Sequence, residues 1–258
     1  MTQSNSRPPL VIKYGGSVMT NLDTRQQMAA RIRNLETYTP VVVHGGGPFI
    51  KAALTKAGVQ SQFVRGLRVT DETSLPIIEA TLTHLNKQLS QALGNAIGLT
   101  GRDANVLQAR TLADLGFVGE VTHVNASLLN VLLEHQLTPV IACLAAPEGS
   151  SEGILNVNAD SVAGAVAGTL AAPVVFLSDV LGVLDDPGDS SSLLRELSAA
   201  DIHARIADGR IAGGMIPKVE AALATLAQGA AFAIIADGRS PDTLEAALNG
   251  QQGTTIHT

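Results

Sequence analysis

Two glycine turns near the start of the chain, each following an apolar segment, are the first candidates for chemistry. They read KYGGS at 13–17 and VHGGGP at 43–48. Glycine loses more conformational freedom on folding than any other residue, so three in a row at 45–47 carry a cost that a function would explain. Backbone N–H groups of a strand–glycine–helix turn, together with the helix dipole, bind anions. For either turn alone, a tight connection between a strand and a helix is the alternative.

Lys13 and Lys218 could supply positive charge to such an anion. Lys13 lies in the apolar segment LVIKY, where a buried ammonium group is costly unless it is paired. Lys218 follows GGMIP in the first turn of a predicted helix, where a cation opposes the helix dipole. Both positions are explained if the two ammonium groups face one anion. The alternatives are a Lys13 side chain that snorkels to solvent and an exposed Lys218.

The segment ILNVNADSVAG at 154–164 adds three polar candidates before a predicted helix. Asn158 or Asp160 could cap that helix, which is a sufficient reason for one of them. Capping does not account for Asn156. A carboxylate between two lysines would hold them in place and limit their repulsion, and Asp160 is the candidate for that role.

Other catalytic arrangements find no support in the sequence. The six histidines are scattered without metal-ligand spacing, so no metal site is predicted, and His44 is interpreted as shaping the turn. No Ser/His/Asp or Cys/His arrangement stands out. The single Cys143 lies in the apolar stretch TPVIACLAA, which predicts a buried structural thiol and a reducing compartment.

Composition limits the partners and the location. The chain has 258 residues, 45% of them hydrophobic, which can bury a large core in one domain or two joined lobes. A net charge of −6 without a cluster of Lys and Arg argues against a nucleic-acid partner. The N-terminal segment has no apolar signal sequence, and the apolar run 161–177 is short for a membrane span and contains Pro173. We therefore expect a soluble cytoplasmic protein without a membrane partner.

Short apolar segments alternate with helical ones along the chain. Predicted strands lie at 10–14, 41–44, 96–100, 139–145, 173–179 and 231–237. Predicted helices lie at 24–38, 72–93, 126–136, 160–170 and 216–228, and one more starts near Pro48. Continuously apolar strands between helices indicate an α/β fold with a mainly parallel sheet, whose ligands bind beyond the carboxyl ends of the strands. Segments 61–70 and 104–124 are predicted as β-hairpins at the sheet edge, and 185–192 as a polar loop.

Taken in order, eight motifs resemble the amino acid kinase family, and within it the acetylglutamate kinases of arginine biosynthesis. They are KYGG, HGGGP, GLRVTD (66–71), NVNAD (156–160), LSDVLGVLD (177–185), GGMIPKVEAAL (213–223), DGR (237–239) and GT-x-I (253–256). Each motif alone is weak, whereas the ordered set is specific and extends from about residue 10 to residue 256.

The resemblance implies a three-layer αβα sandwich around a mainly parallel sheet of about eight strands, in a single amino acid kinase domain spanning 1–258. It implies an N-terminal lobe, about 10–172, that binds the acyl amino acid and forms a dimer, and a C-terminal lobe, about 173–258, that binds ATP. The implied reaction is transfer of the γ-phosphoryl group of ATP to the γ-carboxylate of N-acetyl-L-glutamate, the second step of arginine biosynthesis. Mg²⁺ would be held mainly by the nucleotide phosphates.

The resemblance also implies roles for individual residues. Lys13 and Lys218 would stabilise the charge of the transferring phosphoryl group, and Asp160 would organise both lysines. Phosphoryl oxygens would be held by backbone N–H groups of Gly15, Gly16, Gly45 and Gly46. Acetylglutamate would be bound by Gly46, Gly47, Arg68, Asn156 and Asn158. The nucleotide would be bound by Asp179, Val180, Leu181, Gly182, Val183, Leu184, Arg210, Ile211, Ala212, Gly213, Gly214 and Met215.

Three residues depart from the family pattern, and two other functions stay open. Arg65, Arg102 and Ala104 lie in segments expected near the substrate and could change acyl specificity. Only about nine residues precede the first predicted strand, too few for the extra N-terminal helix of arginine-inhibited relatives, so a homodimer insensitive to arginine is expected. The other functions are a kinase for carrier-protein-linked 2-aminoadipate or glutamate, and a catalytically silent sensor of the same fold.

Overall fold

The computed structural model describes residues 7–150 and 152–258, in which strands and helices alternate. The strands are β1 (Pro9–Tyr14), β2 (Thr39–His44), β3 (Phe63–Val64), β4 (Leu67–Arg68), β5 (Ala96–Thr100), β6 (Leu107–Thr111), β7 (Val118–Val124), β8 (Thr138–Ala142), β9 (Leu144–Pro147), β10 (Leu155–Val157), β11 (Val174–Ser178), β12 (Glu196–Ser198), β13 (Ala233–Asp237) and β14 (Thr254–His257). The helices are α1 (Leu22–Arg33), α2 (Gly47–Lys56), α3 (Ser74–Leu93), α4 (Ala126–Glu134), α5 (Ala159–Thr169), α6 (Ala199–Ala207), α7 (Ile216–Ala227) and α8 (Thr243–Leu248).

One eight-stranded sheet, in the order β12–β14–β13–β11–β1–β2–β8–β5, forms the centre of the molecule. Neighbouring strands are parallel except at the pair β13–β14, so the predicted mainly parallel sheet is confirmed. Because β1 pairs with both β2 and β11, the carboxyl ends of these three strands meet at one edge of the sheet. That edge is where ligands bind in folds of this kind.

Helices cover both faces of the sheet. Successive side chains of a strand point to opposite faces. In β1, Val11 belongs to an apolar cluster with Val162 of α5 and Val219 of α7. Its neighbour Ile12 belongs to a second cluster that contains Met28 of α1 and residues of α3 and α8. The three-layer αβα sandwich is therefore confirmed.

A second, closed sheet contains strands β6, β7, β9 and β10. Both predicted hairpins are confirmed, with β3–β4 in 61–70 and β6–β7 in 104–124, and the latter hairpin is part of this second sheet. The prediction of one strand at 139–145 is wrong. Strand β8 ends at Ala142, and the chain leaves the main sheet at Cys143, because β9 pairs with β6 and β10 instead.

The predicted helices are confirmed to within a few residues, except that α1 ends earlier than predicted. Asn21 caps α1, with its side-chain oxygen accepting from the Thr24 N–H at 2.9 Å. The helix ends at Arg33, earlier than predicted, because Leu35 turns into the apolar core. The apolar run at 161–177 is divided between α5 and β11, and across the two described ranges no helix has both the length and the apolar character that a membrane span requires.

Replacing Tyr14 by phenylalanine is expected to raise the free energy of unfolding by up to about 1 kcal/mol. Tyr14 is fully buried at the end of β1, and its hydroxyl has no hydrogen-bond partner among the described residues. Burial also raises the pKa of this phenol. Urea denaturation measures the effect, with Tyr38→Phe at a half-buried position as the control. A loss of more than about 1 kcal/mol would mean that the hydroxyl binds a partner such as an ordered water.

Candidate active site

The two glycine turns contact each other at the carboxyl edge of the sheet. Strands β1 and β2 run in parallel register, with Tyr14 opposite His44, so the turns that follow them leave the sheet side by side. A Cβ atom added to Gly16 would lie 2.8 Å from Gly47 N and 3.1 Å from Gly46 Cα. No side chain fits between the turns, which explains why Gly16 carries none.

The turns offer backbone N–H groups to a ligand. The amides of Gly16, Gly45, Gly46 and Gly47 donate no hydrogen bond to the backbone of another described residue. The expected role of the Gly15 amide is corrected, because this N–H donates to Leu177 O at 3.0 Å and extends the ladder between β1 and β11. Four amides of the two turns are therefore available to bind an anion.

Each candidate lysine pairs with its own carboxylate. Lys13 Nζ lies 2.9 Å from Asp160 Oδ1, and the Lys13 side chain is 13% exposed. Lys218 Nζ lies 3.4 Å from Asp179 Oδ1, directly after β11. Asp160 therefore contacts Lys13 and not Lys218 in this structure, although α5 and α7 pack against each other.

A cavity of about 170 Å³ lies beside the glycine turns, and we call it the substrate cavity. All five residues predicted to bind the substrate line it, namely Gly46, Gly47, Arg68, Asn156 and Asn158. Its apolar wall includes Ile50, Phe63 and Leu82. A guanidinium group and glycine amides thus surround one small space, which suits a ligand with two anionic groups.

Neighbouring groups hold Arg68 in place at the substrate cavity. The guanidinium carbon lies 4.6 Å from the centroid of the Phe63 ring. The guanidinium also donates to Ser61 Oγ and, at 3.4 Å, to Gly47 O. Partial burial lowers the pKa of Arg68, but an arginine keeps its charge in proteins. Because the fork is planar and already oriented, it can bind a carboxylate through two parallel hydrogen bonds.

The two asparagines at the cavity have different groups available. Asn158 caps α5, because its Oδ1 accepts from the N–H groups of Asp160 at 2.8 Å and Ser161 at 3.1 Å. Its Nδ2 atom is what it can offer to a ligand. Asn156 Nδ2 donates to Thr70 Oγ1 at 3.1 Å, which orients that side chain at the cavity wall.

Comparison with known proteins settles the family. Residues 8–237 match the model of the amino acid kinase family. The chain belongs to the amino acid kinase family. An acetylglutamate kinase of Deinococcus radiodurans is 49% identical over 96% of this chain and 99% of that protein, and one of Nitrobacter winogradskyi is 46% identical over 96% and 90%. A carbamate kinase of Giardia has a TM-score of 0.74 over 98% of this chain and 99% of its own, and at 18% identity it supports the fold alone.

An amino acid kinase uses ATP. The two segments predicted to bind it, 179–184 and 210–215, are joined at the end of the first segment by a hydrogen bond. Arg210 donates at 3.2 Å to Asp185, which directly follows the first segment. Gly182 has a φ of 144°, and a Cβ atom added to it would lie 2.6 Å from Thr254 Oγ1 of β14, so this turn requires glycine. Val183 and Ile211 are 0% and 2% exposed, so they can offer only backbone groups to a nucleotide.

The three departures from the family pattern lie outside the substrate cavity. Arg65 and Gly66, with φ values of 48° and 78°, form the two-residue turn of the β3–β4 hairpin, and the Arg65 side chain is exposed. Arg102 Nη1 pairs with Glu79 Oε1 at 2.9 Å in a separate polar cavity. Neither Arg102 nor Ala104 lines the substrate cavity, and the effect of this loop on acyl specificity stays a prediction.

Reasoning from the sequence missed the ion pair of one residue, Asp179, and missed a second residue, Asn86, altogether. Asp179 was assigned to the nucleotide, and its pairing with Lys218 depends on the strand order. Asn86 was not singled out at all, although it is a polar residue on the apolar face of α3 and is 1% exposed. A polar side chain on a buried helix face needs hydrogen-bond partners, and that was the signal available.

Proposed function

We propose that this chain transfers the γ-phosphoryl group of ATP to the γ-carboxylate of N-acetyl-L-glutamate, which yields ADP and N-acetyl-L-glutamyl 5-phosphate in the second step of arginine biosynthesis. The observation that carries the proposal is the substrate cavity, where Arg68 and the glycine turns line one space. One carboxylate of acetylglutamate can bind the guanidinium while the other faces the glycine amides. The identities of 46% and 49% to acetylglutamate kinases over nearly their full lengths support this dicarboxylate over others.

The reaction requires alignment and charge stabilisation more than proton transfer. A γ-carboxylate with a pKa of about 4.3 is ionised at neutral pH and can attack phosphorus without a general base. Lys13 lies in β1 and pairs with Asp160, whereas Lys218 lies in the first turn of α7 and pairs with Asp179 after β11. Both ammonium groups thus belong to the carboxyl edge of the sheet, where the glycine amides have no backbone acceptor. Positive charge and N–H groups placed there stabilise the negative charge that develops on the phosphoryl oxygens.

The nucleotide would bind to the segments 179–184 and 210–215, with Mg²⁺ on its phosphates. Across the described residues, no group of three or more His, Cys, Asp or Glu side chains could hold a metal ion. Asp160 and Asp179 each have a lysine partner. These residues fit a Mg²⁺ ion held mainly by phosphate oxygens and water, which when bound supplies positive charge to the β- and γ-phosphates.

The proposal includes a homodimer in the cytoplasm that is insensitive to arginine. The ATP-dependent biosynthetic chemistry and the buried, unpaired Cys143 support the cytoplasmic location, because a free thiol suits a reducing compartment. The homodimer is what the resemblance to acetylglutamate kinases implies. Light scattering coupled to size-exclusion chromatography measures the assembly, and a mass of two chains is expected. A mass of one chain or of six would contradict this part of the proposal.

Replacing Arg68 by lysine is expected to raise the KM for acetylglutamate by about tenfold to a hundredfold, with a smaller change in kcat. Lysine keeps the charge but cannot form two parallel hydrogen bonds to a carboxylate. Initial rates at saturating ATP measure the effect. The control is Arg65→Lys, on the same hairpin but outside the substrate cavity. A change in KM of less than about threefold for Arg68→Lys would show that the guanidinium does not hold the substrate.

Trapping of acyl phosphate by hydroxylamine tests the function directly. The purified chain is incubated with ATP, Mg²⁺ and either N-acetylglutamate, glutamate or N-acetylaspartate, with and without arginine. Hydroxamate from N-acetylglutamate alone, unchanged by arginine, is the expected result. Hydroxamate from no acid would contradict the proposal, and a carrier-bound substrate or a sensor of the same fold would then account for the site.

A further inference from the structure

His44 is the last residue of strand β2, directly before the three glycines, and its side chain is completely buried. Its Nδ1 atom lies 3.0 Å from the carbonyl oxygen of Gly45. Its Nε2 atom lies 3.0 Å from Nδ2 of Asn86, on the buried face of α3. A chain of hydrogen bonds thus runs from α3, through the imidazole, to the first peptide of the glycine turn.

The partners of Asn86 determine which nitrogen of His44 carries the proton. Asn86 Nδ2 also lies 2.9 Å from Val140 O and 3.4 Å from Leu99 O, and a carbonyl oxygen can only accept a hydrogen bond. The amide nitrogen of Asn86 therefore faces these carbonyl groups, and because an amide nitrogen donates and does not accept, His44 Nε2 is the acceptor in their contact. The hydrogen of the neutral ring is then on Nδ1, where it donates to Gly45 O.

Charge on the ring would disrupt this chain, and burial prevents it. Complete burial lowers the pKa of His44 to about 4, so the imidazole is neutral near pH 7. A protonated Nε2 would meet the NH₂ group of Asn86, and two donors would then face each other. The neutral form with hydrogen on Nδ1 is the one in which both ring nitrogens have a suitable partner.

The orientation of Gly45 O determines the direction of the next N–H. In a trans peptide, the C=O bond and the following N–H bond point in opposite directions. Because the imidazole holds Gly45 O on the buried side, the Gly46 N–H points away from it, toward the side where Gly46 lines the substrate cavity. This N–H donates to no backbone group of the described chain. Glycines have no side chains that could otherwise fix such a peptide.

We propose that His44 and Asn86 are positioning residues that hold the Gly45–Gly46 peptide so that the Gly46 N–H is already directed at an oxygen of the transferring phosphoryl group. The inference rests on the proposed function for its kinetic consequence, whereas the hydrogen-bond chain exists independently of it. Cys143 supports the same turn, because its Sγ atom donates to His44 O at 3.1 Å. The peptides before and after the first glycine are thus both held from the buried side.

Two substitutions of His44 separate positioning from filling of space. Asparagine places an amide nitrogen at the position of Nδ1, where it can still donate to Gly45 O. Glutamine is closer to histidine in size, but its amide reaches the position of Nε2 and leaves Gly45 O without its donor. We expect His44→Asn to lower kcat by less than about tenfold and His44→Gln by about a hundredfold, with KM for acetylglutamate changed little in both.

A control variant and a double variant complete the kinetic test. His84→Asn alters a histidine that also contacts an amide, Gln88 at 2.9 Å, but on the exposed side of α3, and its kcat should match that of the unchanged chain. Asn86→Leu should lower kcat as well, and adding it to His44→Gln should cost little more, because both break one chain. Additive losses, or a higher kcat for His44→Gln than for His44→Asn, would overturn the proposal.

Nitrogen NMR of histidine-labelled protein tests the chain without any activity. We expect a ring with hydrogen on Nδ1 and a bare Nε2 near pH 7, unchanged at about pH 5, and a loss of this pattern in Asn86→Leu. Hydrogen on Nε2, or a charged ring at about pH 5, would contradict the arrangement. If the NMR pattern is found while no acid yields hydroxamate, the proposed function fails and the positioning of the peptide stands.

Discussion

Replacement of Lys13 by glutamine is expected to lower kcat by about 10³-fold. The Lys13 ammonium group pairs with Asp160 at 2.9 Å beside the free glycine amides, and its side chain is only 13% exposed. At such a site, water does not replace a lost charge. Glutamine keeps most of the length and polarity of the side chain, but it leaves the carboxylate of Asp160 facing a negative phosphoryl group. Single-turnover rates at saturating ATP and acetylglutamate measure the loss.

An exposed lysine provides the matched control for this substitution. Lys51 lies on the solvent side of α2, so Lys51→Gln removes the same charge from the same part of the chain without touching the site. Thermal unfolding of Lys13→Gln shows whether the fold is retained. A kcat within about fivefold of the unchanged chain, in a folded variant, would show that Lys13 does not stabilise the transition state.

Replacing Gly16 by alanine is expected to lower kcat by about a hundredfold, although only one methyl group is added. The new Cβ would lie 2.8 Å from Gly47 N and 3.1 Å from Gly46 Cα, which are backbone atoms that cannot rotate away. The two glycine turns must therefore separate by several tenths of an ångström, and their amides can no longer bind one anion together. Initial-rate kinetics measure kcat, and circular dichroism checks the secondary structure.

Two further alanine variants show whether steric contact is the cause. In Gly46→Ala, the Cβ would meet Leu82 Cδ2 at 2.8 Å, the end of a flexible side chain that can shift, so the loss in kcat should be smaller than for Gly16→Ala. In Gly188→Ala, the nearest atom is Asp186 Oδ1 at 3.3 Å in a polar loop that does not line the substrate cavity, and activity should be unchanged. A Gly46→Ala variant less active than Gly16→Ala would contradict the close contact between the turns.

Elements with a strong local signal could be predicted from the sequence alone. The predicted strand 173–179 contains β11, which is buried throughout, because a continuous apolar run suits a strand that is covered on both faces. The stretch 139–145 is equally apolar, yet it divides into two strands of different sheets. The division depends on pairing with β6 and β10, and the residue types within the stretch do not predict it.

The candidate site shows the same difference between local and distant information. Glycine turns after strands, a lysine within an apolar strand and an asparagine before a helix are local features, and reasoning from the sequence found them all. The partners of those residues are distant in the chain, as in the pairing of Lys218 with Asp179 and the contact of Asn86 with His44.

The sequence by itself thus determined the fold class, the two glycine turns and the types of charged groups available to them. Only the tertiary structure decided that Gly15 gives its amide to Leu177, that each lysine has its own carboxylate, and that Arg102 lies outside the substrate cavity. The physical reason is that neighbouring residues set the backbone conformation of a segment, whereas the order of strands in the sheet sets the distances between segments.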